Sequence, residues 1–291
     1  MNFLKVLFCL ILLSGCSTTN YIIRQGWGQF KLQWNSRSNE KVLADKDVSE
    51  KTKFKIQLIS DAKVFFAHYF NFDVGGIYSK TALLDEEAVT WLVVASKPNQ
   101  VEAHEFEFPF VGSFPYLGFF KKEAAEDFRK GLEKDGLVTW MRPVYAYSTL
   151  GIFEDRILSS FFYFEDVELV ELVFHELLHV AFFAKDEVEL NENLAQWFAN
   201  TLLDEYFKDA GMLKTYRLQQ VREKALEQKL VQLGLLLRDE FHKMGPVLTE
   251  QKANAHAARF MREILVPVVR DACREAGWTG KECPDNPQKW N

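Results

Sequence analysis

The chain has 291 residues, of which 48% are apolar and 26% charged, proportions that exclude a disordered, collagen-like or coiled-coil protein. Its 35 basic and 41 acidic side chains leave a formal charge of −6, so no basic footprint for nucleic acid exists. The length admits one large domain or two small ones, either with a sizeable core.

Residues 1–15 form the first predicted element, a leader. Lys5 precedes the apolar run from Val6 to Leu13, and Ser14 and Gly15 lead into Cys16. That layout is a secretory signal, too short to span a bilayer as a stable helix. Leu13-Ser14-Gly15-Cys16 resembles the bacterial lipobox, which implies lipidation of Cys16 and anchorage to a membrane surface by its acyl chains. In Gram-negative lipoproteins of this kind, the absence of Asp at Ser17 implies sorting to the outer membrane, facing the periplasm.

Helical spacing of apolar residues predicts helices over Tyr21 to Asn35 and about Val48 to Phe72. In the second, Phe54, Leu58, Ala62, Phe65, Phe66 and Tyr69 make the apolar stripe. Gly75-Gly76 marks a loop between Asn71 and Ser79. Strands are expected at Ala88 to Ala95, at the alternating Glu102 to Phe110, and at Leu137 to Arg142, with an exposed helix from Lys122 to Lys134. From Val167 onward the pattern is helical: Val167 to Ala184, Asn191 to Phe207, Met212 to Lys243 and Thr249 to Ala276, the last two separated by Gly245-Pro246. The expected class is therefore α+β, with 16–291 as one domain. Residues 16–153 form its mixed α/β lobe and 154–291 its helical lobe. Cys273 and Cys283 are left over for an oxidising compartment, and a disulfide between them is favoured over half of a metal site because no CxxC spacing is present.

The helix from Val167 to Ala184 carries the chemistry. Nearly every position is apolar, yet Glu168, Glu171, His175 and His179 fall on one face, and Glu176 lies beside them. Ionisable groups on a buried helix require something in contact with them. His175-Glu176-Leu177-Leu178-His179 is an HExxH sequence, in which histidines at i and i+4 share one metal ion and the intervening Glu reaches a water on it. Phe174, Leu178, Val180 and Phe182 argue that this face is not simply exposed. A catalytic zinc needs a third ligand, and Glu192 follows at a distance that allows a turn and a return beside the metal. Glu192 shares its face with Ala195 and Ala199, small enough for close helix approach, while Asn191 is a candidate cap. Glu171, Asp186, Glu187 and Glu189 are the other candidates for the third ligand. Phe182 and Lys185 stand where a metzincin needs Gly and His, so that pattern is excluded. His68, His104, His242 and His256 are isolated and are read as surface or packing residues.

Several segments in one order carry a family resemblance. They are the lipobox, Tyr21 to Leu32, Val111 to Phe119, Arg142 to Phe153, Phe174 to His179, and Asn191-Glu192-Asn193-Leu194-Ala195. On these the chain resembles the bacterial Putative aminopeptidase family of exported zincin-like proteins. The resemblance implies Zn2+ held by His175, His179 and Glu192, Glu176 as catalytic acid-base, and a peptide as substrate. Leu178, Val180 and Leu194 depart from the usual residues of that family without touching a ligand position. A peptidase of this kind also needs an oxyanion stabiliser, for which Tyr147 is the first candidate and Tyr145 and Tyr116 the others. Glu168 and Glu171 are candidates for holding a substrate ammonium or for supporting the histidines. The competing reading is a zinc-containing envelope scaffold that binds or assembles without cleaving peptides.

Overall fold

The computed structural model describes residues 16–108, 112–146, 155–245 and 248–278. The architecture is α+β, rich in helix with small sheets. Helix α1 (Cys16–Asn35) is followed by β1 (Arg37–Ser38), α2 (Asn39–Leu43), α3 (Glu50–Phe70), β2 (Lys80–Ala82) and β3 (Thr90–Ser96). Then come β4 (Phe106–Phe108), β5 (Gly112–Phe114), β6 (Leu117–Phe119), α4 (Lys122–Lys134), β7 (Val138–Val144) and β8 (Ile157–Leu158). A 3-10 turn (Ser159–Tyr163) leads to α5 (Asp166–Ala181), α6 (Val188–Tyr206), α7 (Ala210–Met244), α8 (Glu250–Phe260) and α9 (Val266–Ala276). Among the described residues no helix is long and apolar enough to cross a membrane. The chain divides into two compact units, one holding the segments up to Thr90 and Val144–Lys208, the other Trp91–Pro143 and the chain from Asp209.

In the first unit α5 packs against both α3 and α6. Leu169, Val170, Val173, Phe174 and Leu177 of α5 are wholly buried, as its near-continuous apolar sequence requires. The Phe174 ring meets Phe65 of α3 at 5.8 Å and Tyr206 of α6 at 5.7 Å, so one side chain sets the spacing of three helices. Lys55 of α3 is buried, and its Nζ donates to the Phe164 carbonyl at 2.7 Å and to Asp166 Oδ1 at 2.6 Å, tying α3 to the start of α5. The buried face of α3 is Lys55, Ile56, Ile59, Ala62 and Phe66, rotated from the expected stripe, and Phe54 and Tyr69 are exposed. The polar head of Lys55 has partners here, so burying its long apolar stem costs little, and no hydropathy pattern shows that. Ser49 caps α3 by accepting from the Thr52 N–H, and Asn71 closes it in the left-handed conformation. Strand β2 lies between antiparallel β1 and parallel β8, with Thr81 opposite both Arg37 and Ile157.

The second unit has a sheet ordered β6-β3-β7 and a β4-β5 pair. Trp91, Val93 and Ala95 alternate inward along β3, facing Phe119 and Leu117 across its antiparallel neighbour. The expected strand from Glu102 to Phe110 is confined, among the described residues, to Phe106–Phe108, paired with Gly112–Phe114. Helix α4 matches its expected bounds. The helix expected over Thr249 to Ala276 is divided by a π-turn at Met261–Leu265. Pro267 explains it: the ring has no N–H to donate and displaces the preceding turn's carbonyl, which a wider turn accommodates. Val269, Ala272 and Cys273 of α9 pack with Leu226 of α7 and with Leu230 and Trp278. Gly277 ends α9 at φ 71°, a conformation that a Cβ would strain.

Candidate metal centre

Helix α5 delivers His175, Glu176 and His179 from the bottom of the first unit's core. Its buried side is apolar, so the tilt and rotation that satisfy Leu169, Val173, Phe174 and Leu177 also fix where the imidazoles stand. Both histidines are half-buried. Phe174 and Leu178 are buried as expected, but Val180 and Phe182 are exposed, correcting the expectation that they shield the pair. The helix ends at Ala181, so these two side chains lie at and beyond its last turn, where less structure covers them.

The return to α6 is set by Asn191. Its side chain donates to the Ala184 carbonyl and accepts from the Ala184 N–H, both at 2.8 Å, from a nearly buried position. Asn191 is therefore a clamp on the turn rather than the expected helix cap, because α6 already begins at Val188. Asp186 takes the left-handed conformation at φ 64°, which reverses the chain. Ala195 and Ala199 are wholly buried and bring α6 close to α5, as their size suggested, while Trp197 is exposed. Close approach carries Glu192 to the histidines.

His175 Nε2 and His179 Nε2 are 3.1 Å apart. Glu192 Oε2 is 3.2 Å from His175 Nε2, and Glu192 Oε1 is 3.5 Å from His179 Nε2. Zinc bonds of ~2.0–2.1 Å at tetrahedral angles separate neighbouring donors by about 3.3–3.4 Å, and the two imidazole nitrogens and the nearest oxygen to each stand close to that spacing. The donor chemistry fits as well. Burial and the neighbouring His179 charge lower the pKa of His175, against the pull of Glu192 and Glu171, which favours the neutral imidazole a metal needs. Gln196 Nε2 of α6 donates to the buried Glu171 Oε1 at 2.6 Å, so Glu171 supports the helix pair instead of joining the donors. Among the described residues the side chains that converge as a possible metal-binding group are His175, His179 and Glu192.

Glu176 lines a cavity with Gln29 and Gln33 of α1, Tyr78, Asp155 and Arg156. Burial raises its pKa to about 7, helped by the carboxylates of Asp155 and Glu192. Tyr78 is a residue that sequence reasoning missed. It is nearly buried and sits at φ 57°, a conformation unusual for a bulky side chain, held by its N–H on the Asp155 carbonyl and by Asn39 Nδ2 on its own carbonyl. Burial, then the charges of Glu176 and Asp155, push its hydroxyl well above the ordinary tyrosine range. Asp155, Arg156 and the two glutamines were missed too. Each is an ordinary polar residue in sequence, and only folding assembles them around Glu176.

The family model described as "Putative aminopeptidase" matches residues 20–276. The chain belongs to that family. No curated protein and no solved structure matches it. The match includes the three residues that could hold a metal and all the cavity residues of this Putative aminopeptidase chain.

Of the remaining expected site residues, Tyr147 lies outside the described residues. Tyr145 stacks on Tyr163 at 4.2 Å, and Tyr116 is exposed in the second unit. Glu168, Asp186, Glu187 and Glu189 are exposed. His256 pairs with Glu240 at 2.6 Å, His104 packs edge-on against Phe106, and His68 and His242 are exposed. Cys273 is buried and disulfide-bonded, while Cys283 lies outside the described residues. Cys16 is the first residue of α1.

Proposed function

We propose that the chain is a zincin-like zinc metallopeptidase, an aminopeptidase, anchored to the bacterial cell envelope through a lipidated Cys16. One observation carries the catalytic part: the His175 and His179 Nε2 atoms stand 3.1 Å apart, the Glu192 carboxylate reaches them with one oxygen each at 3.2 and 3.5 Å, and Glu176 beside them opens on a cavity. Zinc at that position supplies a Lewis acid and lowers the pKa of a water towards neutrality. Glu176 takes the proton of the attacking water and returns it to the leaving amine from its place on the cavity wall. Tyr78, kept protonated by burial, is a donor for the developing oxyanion from the cavity wall, with Tyr147 the other candidate. The Asp155 carboxylate in the same cavity suits a substrate's α-ammonium, and the Gln29 and Gln33 amides suit a peptide backbone. The lipobox at Leu13 to Cys16 supports anchorage, with outer-membrane placement favoured by Ser17.

The test begins with metal content by mass spectrometry, on the chain starting at Ser17 and on its His175→Ala variant. One zinc per chain, lost in the variant, supports the centre. Release of N-terminal residues from a peptide library by the wild type, absent in Glu176→Gln with zinc retained, supports the peptidase. No metal in either protein after zinc reconstitution overturns the hydrolase reading. Zinc without hydrolysis leaves the envelope scaffold.

A further inference from the structure

Helix α1 carries its apolar residues on the wrong side for a helix that covers a core. Ile23, Trp27, Phe30 and Trp34 recur at i, i+4, i+7 and i+11, one face, and they are 64%, 66%, 51% and 76% exposed. Trp27, Phe30 and Trp34 stack successively at 5.6 and 5.7 Å, so the face is a continuous aromatic ridge. The opposite face is half-buried, with Gln25, Gln29 and Gln33 in line beside Tyr21 and Leu32. Two of those amides are engaged with the body of the unit: Gln33 Oε1 accepts from Arg156 Nε at 2.9 Å, and Gln29 and Gln33 line the cavity at Glu176. Rotating α1 to bury the ridge would withdraw that cavity wall, so the ridge faces outward because the inner face is already in use.

We propose that this ridge seats in the headgroup region of a lipid bilayer, so that α1 is an interfacial helix with the membrane on one side and the cavity on the other. The occupant follows from where the preceding chain ends. The apolar leader ends in sequence at the lipobox cysteine, and that cysteine lies in the first turn of α1. Acyl chains on Cys16 bring the start of the helix to the bilayer. Ile23 then lies about 10 Å and Trp34 about 27 Å further along the helix axis. Tryptophan is the residue type that prefers the membrane interface, and exposed Arg24 borders the ridge where lipid phosphates would lie. This inference rests on the anchorage part of the proposed function and is independent of the peptidase part.

The test removes the anchor and asks whether the ridge binds by itself. The mature chain carrying Cys16→Ser is floated with vesicles of zwitterionic phospholipid, beside the same chain carrying Trp27→Gln and Trp34→Gln. Zinc content and circular dichroism establish that the ridge variant is folded. The expected result is partition with a blue shift of tryptophan emission, insensitive to raised salt, that falls about tenfold or more in the ridge variant. No flotation of the Cys16→Ser chain, or equal flotation of the two, overturns the proposal. A dimer in sedimentation that the ridge variant dissolves, without any vesicle binding, assigns the face to a second copy and also overturns it. Mass spectrometry of the mature N-terminus reads lipidation separately, and peptide hydrolysis in free solution reads the active site. Failure of the ridge is thus distinguishable from failure of either.

Discussion

Helices α1 and α5 both break the rule that apolar side chains point in and polar ones out, and they break it in opposite senses. On α5 a helix with a wholly buried apolar side also holds the half-buried His175, Glu176 and His179, with the two imidazoles against each other and Glu192. On α1 the glutamines turn inward and the tryptophans outward. Ionisable groups brought together and partly withdrawn from water must be balanced by a ligand or by neutralisation, whereas apolar groups left in water lose only the favourable energy of burial. The first violation therefore demands chemistry, and the second invites a surface.

The largest expected effect lies on α5. Glu176→Gln lowers kcat/KM on peptides by about 10²–10⁴-fold while zinc remains bound, measured by hydrolysis and metal analysis on one preparation. Equal activity would remove Glu176 from the chemistry. Next, Phe174→Ala costs about 3–5 kcal/mol in denaturant unfolding, because the ring separates α3, α5 and α6 and cannot be replaced by collapse on all three sides. A loss below that of an exposed Trp34 substitution would mean the helices do not depend on it.

A third prediction concerns pH in the metal-free protein. Glu176 is raised from 4.5 to about 7 in the folded state, so its ionisation disfavours folding. Stability from this group is lost as pH rises from the lower value through the upper one. Glu176→Gln should therefore stabilise the metal-free chain by roughly 2–3 kcal/mol at alkaline pH and by almost nothing in acid, read from thermal unfolding across that window. A pH-independent difference would contradict the burial of the carboxyl. Fourth, Glu192→Ala weakens zinc binding by at least about tenfold in competition titrations, more than the loss of a supporting group such as Gln196. The smallest effect belongs to α1: Trp27→Gln and Trp34→Gln each change stability by less than about 0.5 kcal/mol and leave hydrolysis of soluble peptides unaltered. A larger loss would place the ridge in the fold's own core and erase the contrast with α5.

Much of this molecule was legible in one dimension. The helices fall close to their expected bounds because apolar periodicity and a breaker such as Gly245 act within a turn of where they stand. The pairing of His175 with His179 follows from helix geometry alone, since residues four apart share a face. The convergence of Glu192 was expected from spacing, and the small residues Ala195 and Ala199 supplied the reason. What failed was burial direction. Phe54, Tyr69, Val180 and Phe182 have core-like side chains and lie exposed, while Lys55 and Asn191 are polar and lie buried.

Sequence alone determined the helices, the HExxH face and the polarity stripes on α1 and α5, because each depends on residues within a few positions of one another. Tertiary structure alone decided which stripe faces inward, which carboxylate completes the donor set, and that Tyr78, Asp155 and Arg156 meet Glu176 around one cavity. Those contacts join residues far apart in the chain. Hydropathy states how favourable burial would be, and only packing determines whether a partner is there to provide it.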